Sequence, residues 1–213
     1  MKAESVLAWI VGFLALAGIG GAFFFLSTGG NNEGFAEFPT ITNLHVIPGA
    51  VYLALAPFQF SSTIRDRNRS YHRWAGRLLS SIALVAGAGA LFLGVIIPFS
   101  GLAEQIVTGF FGTVFLIATV KGFTCARAGN FTTHREWMMR AFAIALSIAT
   151  MRLIFVPTLI IIGNPTREEA EFYSITSFTI AFILHSGFAE YWIRRTRTKS
   201  SSSNVPKPAY TAS

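Results

Sequence analysis

The chain has little charge and almost no cysteine. Only 13% of its 213 residues are charged, against about 25% in an ordinary soluble domain. A deficit of that size excludes a water-soluble globular protein and indicates one that lives in lipid. Cys125 is the single cysteine. No intrachain disulfide, cysteine metal cage or iron–sulfur cluster can therefore form. Also missing are a Gly-rich phosphate loop, a nucleophile elbow and a pair of catalytic acids, so those familiar enzyme chemistries have no residues to carry them.

Long apolar stretches stand where the charges are absent. Six are expected to span a bilayer, which makes the fold class an all-α membrane protein, a six-helix transmembrane bundle. They cover about 6–26, 44–60, 78–99, 106–120, 137–162 and 172–193 within a domain of residues 1–193. The first is longer than the 7–15 residues of a signal-peptide core. Only Lys2 precedes it, and Phe23-Phe24-Phe25 is a poor approach to a small-residue cleavage site, so it is expected to be retained.

The scarce charges are sorted. Arg65, Arg67, Arg69, Arg73 and Arg77 stand against Asp66 before the third span; Lys121, Arg127, Arg135 and Arg140 stand against Glu136 before the fifth. The tail 194–213 holds Arg194, Arg195, Arg197, Lys199 and Lys207 and no acid, whereas the alternate connections are acidic. Six spans bring all three basic segments to one side with both termini, and the positive-inside bias makes that side cytoplasmic. The expected location is a cell membrane, as a multi-pass protein of the bacterial inner membrane. The net charge of +7 is thus a topology signal, and nucleic acid is not an expected partner. The tail lacks periodicity and is expected to be a disordered basic segment able to lie on anionic lipid.

Two of the basic segments nearly repeat each other: Tyr71-His72-Arg73-Trp74-Ala75-Gly76-Arg77 and Thr133-His134-Arg135-Glu136-Trp137-Met138-Met139-Arg140. Each begins an outward-running span, so both copies lie at the same membrane face. Such sets also serve as interfacial anchors. The third span offers Ala86, Ala90 and Gly94, and the fifth Ala141, Ala145 and Ala149; these smooth faces are expected to let the two helices approach. At about 1.5 Å per residue, two polar clusters emerge. The inner one holds His72, His134, Arg73, Arg77 and Arg140, with Glu190 and His185 as possible inner partners. The outer one holds His45 and Arg152. An arginine so deep in a span marks a pathway or ligand site more often than it snorkels.

At these residues the chain resembles the domain of unknown function 2306 family, bacterial multi-pass membrane proteins. The resemblance covers about residues 40–192. It rests on His45 with Pro48-Gly49, on Pro57-Phe58-Gln59-Phe60, on both histidine motifs, on Arg152-Leu153 and on Ala189-Glu190. It implies the multi-pass fold and singles out His45, His72, His134 and Arg152. The family pattern has an asparagine near His185, so that histidine departs from it. No activity comes with the family name.

Three functional classes suit these residues. In the first, the protein binds haem b and transfers electrons, as transmembrane cytochromes b do. His72 and His134 would be axial ligands of the haem iron, and Arg73, Arg77 and Arg140 would pair with its propionates. A redox partner or a quinone would then exchange electrons with it. In the second, the inner set holds a small anionic or quinone-like ligand without redox chemistry, and His45 and Arg152 form the outer half of a pathway. The third is an accessory subunit of a membrane complex that contacts only lipid and partners.

Overall fold

The computed structural model describes residues 3–27 and 33–203. Every regular element among them is helical: α1 (Ala3–Ser27), α2 (Glu33–Glu37), α3 (Pro39–Gln59), α4 (Ser62–Arg67), α5 (Arg69–Ile96), α6 (Gly101–Arg127), α7 (Phe131–Ile162) and α8 (Arg167–Ser203). Six of them, α1, α3, α5, α6, α7 and α8, are long and apolar enough to cross a membrane. They correspond to the six runs read from the sequence and extend beyond them. α5 starts at Arg69 and α7 at Phe131, which places both histidine motifs on the helices.

Part of the segment expected as a disordered tail is drawn into α8 as helix. α8 continues through 194–203, and 204–213 lie outside the described residues. The extension has two visible supports. Arg195 donates to the Tyr191 hydroxyl across one turn at 3.0 Å, and Arg197 forms an ion pair with Glu136 of α7. The tail's composition does not reveal that second partner.

α3, α5, α6 and α7 follow one another around a four-helix unit, each packed on the next, with a lighter α3–α7 contact closing it. α1 packs on α3 and α7, and α8 packs on α7 with an edge on α6. The centre is aliphatic and aromatic, with Tyr52, Leu53, Leu79, Ala83, Phe115, Ala118, Ala141 and Phe142 buried together. Around it the outside is apolar too: Trp9, Phe23 and Ile161 are 73–84% exposed. A hydrophobic exterior of this extent is stable only against hydrocarbon.

The small residues of α5 and α7 do not bring those helices together, contrary to the expectation above. α5 and α7 share no extended seam; they stand diagonally across the unit. The smooth face of α5 instead admits α3 and α6. A Cβ on Gly94 would collide with Thr108 of α6, and one on Gly89 would fall 3.0 Å from the His45 Cβ of α3. On α7, Ala149 lies against Gly18 of α1. Small faces report a close neighbour without identifying which helix it is.

Gly87 gives a test of this packing. A Cβ there would sit 2.7 Å from the Phe115 ring and 2.8 Å from Leu116. Gly87→Ala is expected to destabilise the detergent-solubilised protein by about 1–3 kcal/mol through overpacking, although alanine is the better helix former by ~1 kcal/mol. Gly12→Ala, where nothing lies within 4 Å, is the control and should be neutral or slightly stabilising. Thermal unfolding midpoints compare the two.

Candidate functional site at the basic end of the bundle

The two histidine helices start in the same way. Asn68 precedes α5 and its side chain accepts from the Tyr71 N–H at 2.9 Å; Asn130 precedes α7 and accepts from the Thr133 N–H at 3.2 Å. Both asparagines thus satisfy a donor that a helix start leaves open. In both helices the histidine is the fourth residue after the asparagine, and its N–H bonds the asparagine carbonyl, at 3.1 Å for His72 and 2.9 Å for His134. The repeat therefore includes its caps, a signal the sequence carries in Asn68 and Asn130 but which the motif reading overlooked.

The first buried apolar positions above the histidines are also matched. Leu79 and Ala141 are buried, and each lies two turns beyond its histidine on the same helical face, roughly 10 Å along the axis. The buried Phe142 ring lies in this region of the core, 5.3 Å from the exposed Phe60 ring at the end of α3. His72 and His134 thus occupy the mouth of the four-helix unit, beyond its last buried apolar layer. They are close enough to act on one another electrostatically, and Arg65 of α4 is within the same reach of His72.

Their hydrogen bonding differs. His134 donates from Nδ1 to the Gly122 carbonyl of α6 at 2.7 Å. A carbonyl only accepts, so Nδ1 carries a proton, and in the neutral ring Nε2 carries the free lone pair. This contact depends on the α6–α7 turn. Gly129, at φ +76°, lets the Asn130 N–H reach the Cys125 carbonyl and its own N–H reach the Ala126 carbonyl, the Schellman pairing that ends a helix sharply. The missing side chain of Gly122 also leaves room for Met138, whose sulfur would lie 2.5 Å from a Cβ there. In His72, Nδ1 is buried and has no hydrogen-bond partner. A buried polar atom left this way costs free energy and calls for a ligand or water.

The arginines divide into two groups. Arg140 is committed: it forms a two-pronged ion pair with Glu190 of α8, at 2.5 Å from Nε and 3.2 Å from Nη2. Its guanidinium also lies 4.7 Å from the centre of the Trp137 ring, and the Lys121 ammonium lies 5.0 Å from that centre. Cation, aromatic ring and carboxylate support one another there. Glu190 therefore neutralises an inner arginine, and Arg140 is not free to hold a separate carboxylate. Arg73 and Arg77 are exposed, and no acidic side chain pairs with either among the described residues.

One strong contact was not anticipated. Glu136, 5% exposed, receives both prongs of the Arg197 guanidinium. The hint was an acid inside a basic motif, but its partner lies 61 residues further on, on a segment whose composition resembles a tail.

His185 joins neither cluster: its Nε2 shares a 2.7 Å hydrogen bond with Thr150 of α7. The outer pair is seated on different seams, Arg152 against Gly18 and Gly21 of α1 and His45 against Ala86 and Gly89 of α5. Among the described residues no three His, Cys, Asp or Glu side chains gather as a metal cage. The inner site thus offers at most two imidazole ligands, which suits an iron already held in a macrocycle better than a bare metal ion.

Fold and surface together define a polytopic helical membrane protein with a histidine pair at its basic end. The chain belongs to the predicted membrane protein family DUF2306, whose profile matches residues 42–193. No curated protein and no solved structure matches it.

Proposed function

We propose that this protein binds one haem b at the basic end of the bundle, with His72 and His134 as axial ligands, and transfers electrons. The observation that carries the reading is the histidine pair. The two rings come from diagonal helices at matched height, His134 with Nε2 uncommitted and His72 with an orphaned buried nitrogen. A bis-imidazole haem needs two facing ligands separated by the thickness of a macrocycle, and helices that do not pack on each other meet that need. The hydrogen bond from His134 Nδ1 to a carbonyl is the outer support that orients a ligating imidazole and raises its basicity.

Around the pair the chemistry suits an amphiphilic ring: apolar, buried Phe142 toward the core, exposed Arg73 and Arg77 toward water. Those two arginines are the partners available to propionates; Arg140, pledged to Glu190, leaves the set. A bound haem would supply a one-electron couple, and the chain's own residues would hold and orient it. In the proposed topology this end faces the cytoplasm, by the positive-inside bias, in a bacterial inner membrane.

The test is the visible spectrum of the detergent-purified full chain, produced with ample haem precursor and recorded oxidised and then dithionite-reduced. A Soret band with sharpened low-spin bands on reduction is expected. A monodisperse preparation without a Soret band removes the haem reading. A second reading then stands, that the site holds a small anion or an anionic headgroup; it is favoured by the unpaired, exposed Arg73 and Arg77. Phosphate or anionic-lipid binding that weakens in Arg73→Ala and Arg77→Ala would establish it.

A further inference from the structure

The two histidine helices share a pattern beyond their caps. Each is packed on the helix that precedes it toward the basic end, α5 on α3 and α7 on α6. In each pair that preceding helix faces the residue four places after the histidine. On α7 this residue is Met138, and it faces a glycine: a Cβ on Gly122 of α6 would lie 2.5 Å from the Met138 sulfur. On α5 it is itself a glycine, Gly76, and it faces a long side chain. The Gln59 amide of α3 lies there, its Oε1 3.6 Å from where a Gly76 Cβ would stand. The bulky and the vacant member of the pair have changed places.

The exchange matters for the imidazoles one turn below, which lie on the same helical faces as Gly76 and Met138. Gly122, with no side chain to offer, gives its main-chain carbonyl to His134 Nδ1 at 2.7 Å. His72 Nδ1 is buried and unpartnered, and the facing residue, Gln59, carries a carbonyl on its side chain. That residue is half-buried, and its amide has no hydrogen-bond partner among the described residues. Cα–Cβ bonds in a helix tilt toward its N-terminus, so the opening at Gly76 leads toward His72. The offset is one helical pitch, about 5 Å, and the three side-chain torsions of glutamine let the amide swing through it.

We propose that Gln59 is the positioning residue of His72. Its amide oxygen accepts the Nδ1 proton, as the Gly122 carbonyl does for His134, and both neutral imidazoles then turn a bare Nε2 toward the mouth of the bundle. Two axial ligands require a bare nitrogen on each ring, and an acceptor behind each Nδ1 fixes the ring and raises its basicity. The consequence for ligation rests on the haem reading; the hydrogen bond does not.

The experiment is nitrogen NMR of the haem-free, detergent-purified full chain carrying isotope-labelled histidine, recorded above the histidine titration range. Single histidine-to-alanine variants assign the signals. His72 and His134 are both expected with the proton on Nδ1 and none on Nε2. Gln59→Met keeps length and volume without the acceptor. It should move the His72 tautomer ratio about tenfold toward Nε2–H, the effect of one hydrogen bond of ordinary strength, and leave His134 unchanged. Gln59→Glu keeps an acceptor of the same reach and should retain the proton on Nδ1. The proposal is overturned if wild-type His72 carries its proton on Nε2, the result of an amide turned to donate. An unchanged ratio in Gln59→Met also overturns it, since water is then the partner. In haem-loaded protein, Gln59→Met should in addition raise the midpoint potential, because a less basic ligand favours ferrous iron. A chain that never shows a Soret band removes the haem reading, and the nitrogen spectra still decide the role of Gln59.

Discussion

In the proposed haem-bound protein, His72→Ala and His134→Ala should each abolish the six-coordinate haem spectrum, while His45→Ala should leave it intact. The contrast is all-or-none because low-spin iron needs both axial positions filled, and each histidine is the only imidazole its helix brings to the basic end. His45 cannot substitute for either: it is bonded to the Ala86 carbonyl in the other half of the bundle. His185 cannot either, since its Nε2 is engaged by Thr150. Absorption spectra at equal protein concentration check this. A His45→Ala protein that loses the band, or a His134→Ala protein that keeps it unchanged, would refute the ligand assignment. Gly122 offers a graded companion. Replacing it by Val displaces Met138 and disturbs the carbonyl that orients His134, so the band should weaken and broaden without disappearing.

The second large effect concerns Arg197 and Glu136, and it is asymmetric. The Glu136 side chain is 6% exposed and that of Arg197 61%. Arg197→Ala strands a buried carboxylate; Glu136→Gln strands a cation that already reaches water. Breaking a fully buried pair costs about 3–5 kcal/mol. With one partner at the surface the loss is smaller, and Arg197→Ala is expected to lower the unfolding midpoint clearly while Glu136→Gln lowers it only slightly. The unfolding midpoint of each detergent-purified variant measures the difference. Equal losses would mean that the carboxylate is solvated in solution. A low cost for Arg197→Ala would also remove the anchor that accounts for the helical extension of α8.

Both results rest on features that differ in how far the sequence reveals them. The spans were legible because transfer into lipid depends on local composition, and each run is long enough to decide alone. The grouping of His72 with His134 followed from counting spans, since an even number of crossings between two motifs returns the chain to the same face. Even the kinship of the two motifs, down to the Asn68 and Asn130 caps, can be read from the order of residues. The pairing of Glu190 with an inner arginine was legible only as a class of contact. Which arginine it takes depends on the rotation of α8 against α7, and that selects Arg140.

Neighbourhood was harder. The small residues of α5 suggested a close helix, and any of the five other spanning helices could have filled the role. Their Cβ-free surface receives α3 and α6, because Phe115, Thr108 and His45 occupy it. The diagonal relation of α5 and α7 could not be read from either helix by itself. The Arg197–Glu136 contact was hidden for a related reason: a polar, unpatterned segment has no signature of helicity until a distant partner holds it.

By itself the sequence determined the solvent, the number of crossings and the end of the molecule where its cations and paired histidines collect. Each of these depends on the free energy of placing particular residues in hydrocarbon, at its surface or in water, which is a property of short segments. The tertiary structure alone decided which helices touch, which arginines are already spent on carboxylates, and which imidazole nitrogens remain free. Those outcomes depend on how rigid helices rotate to fit one another's side chains, a property of the whole bundle and of no segment within it.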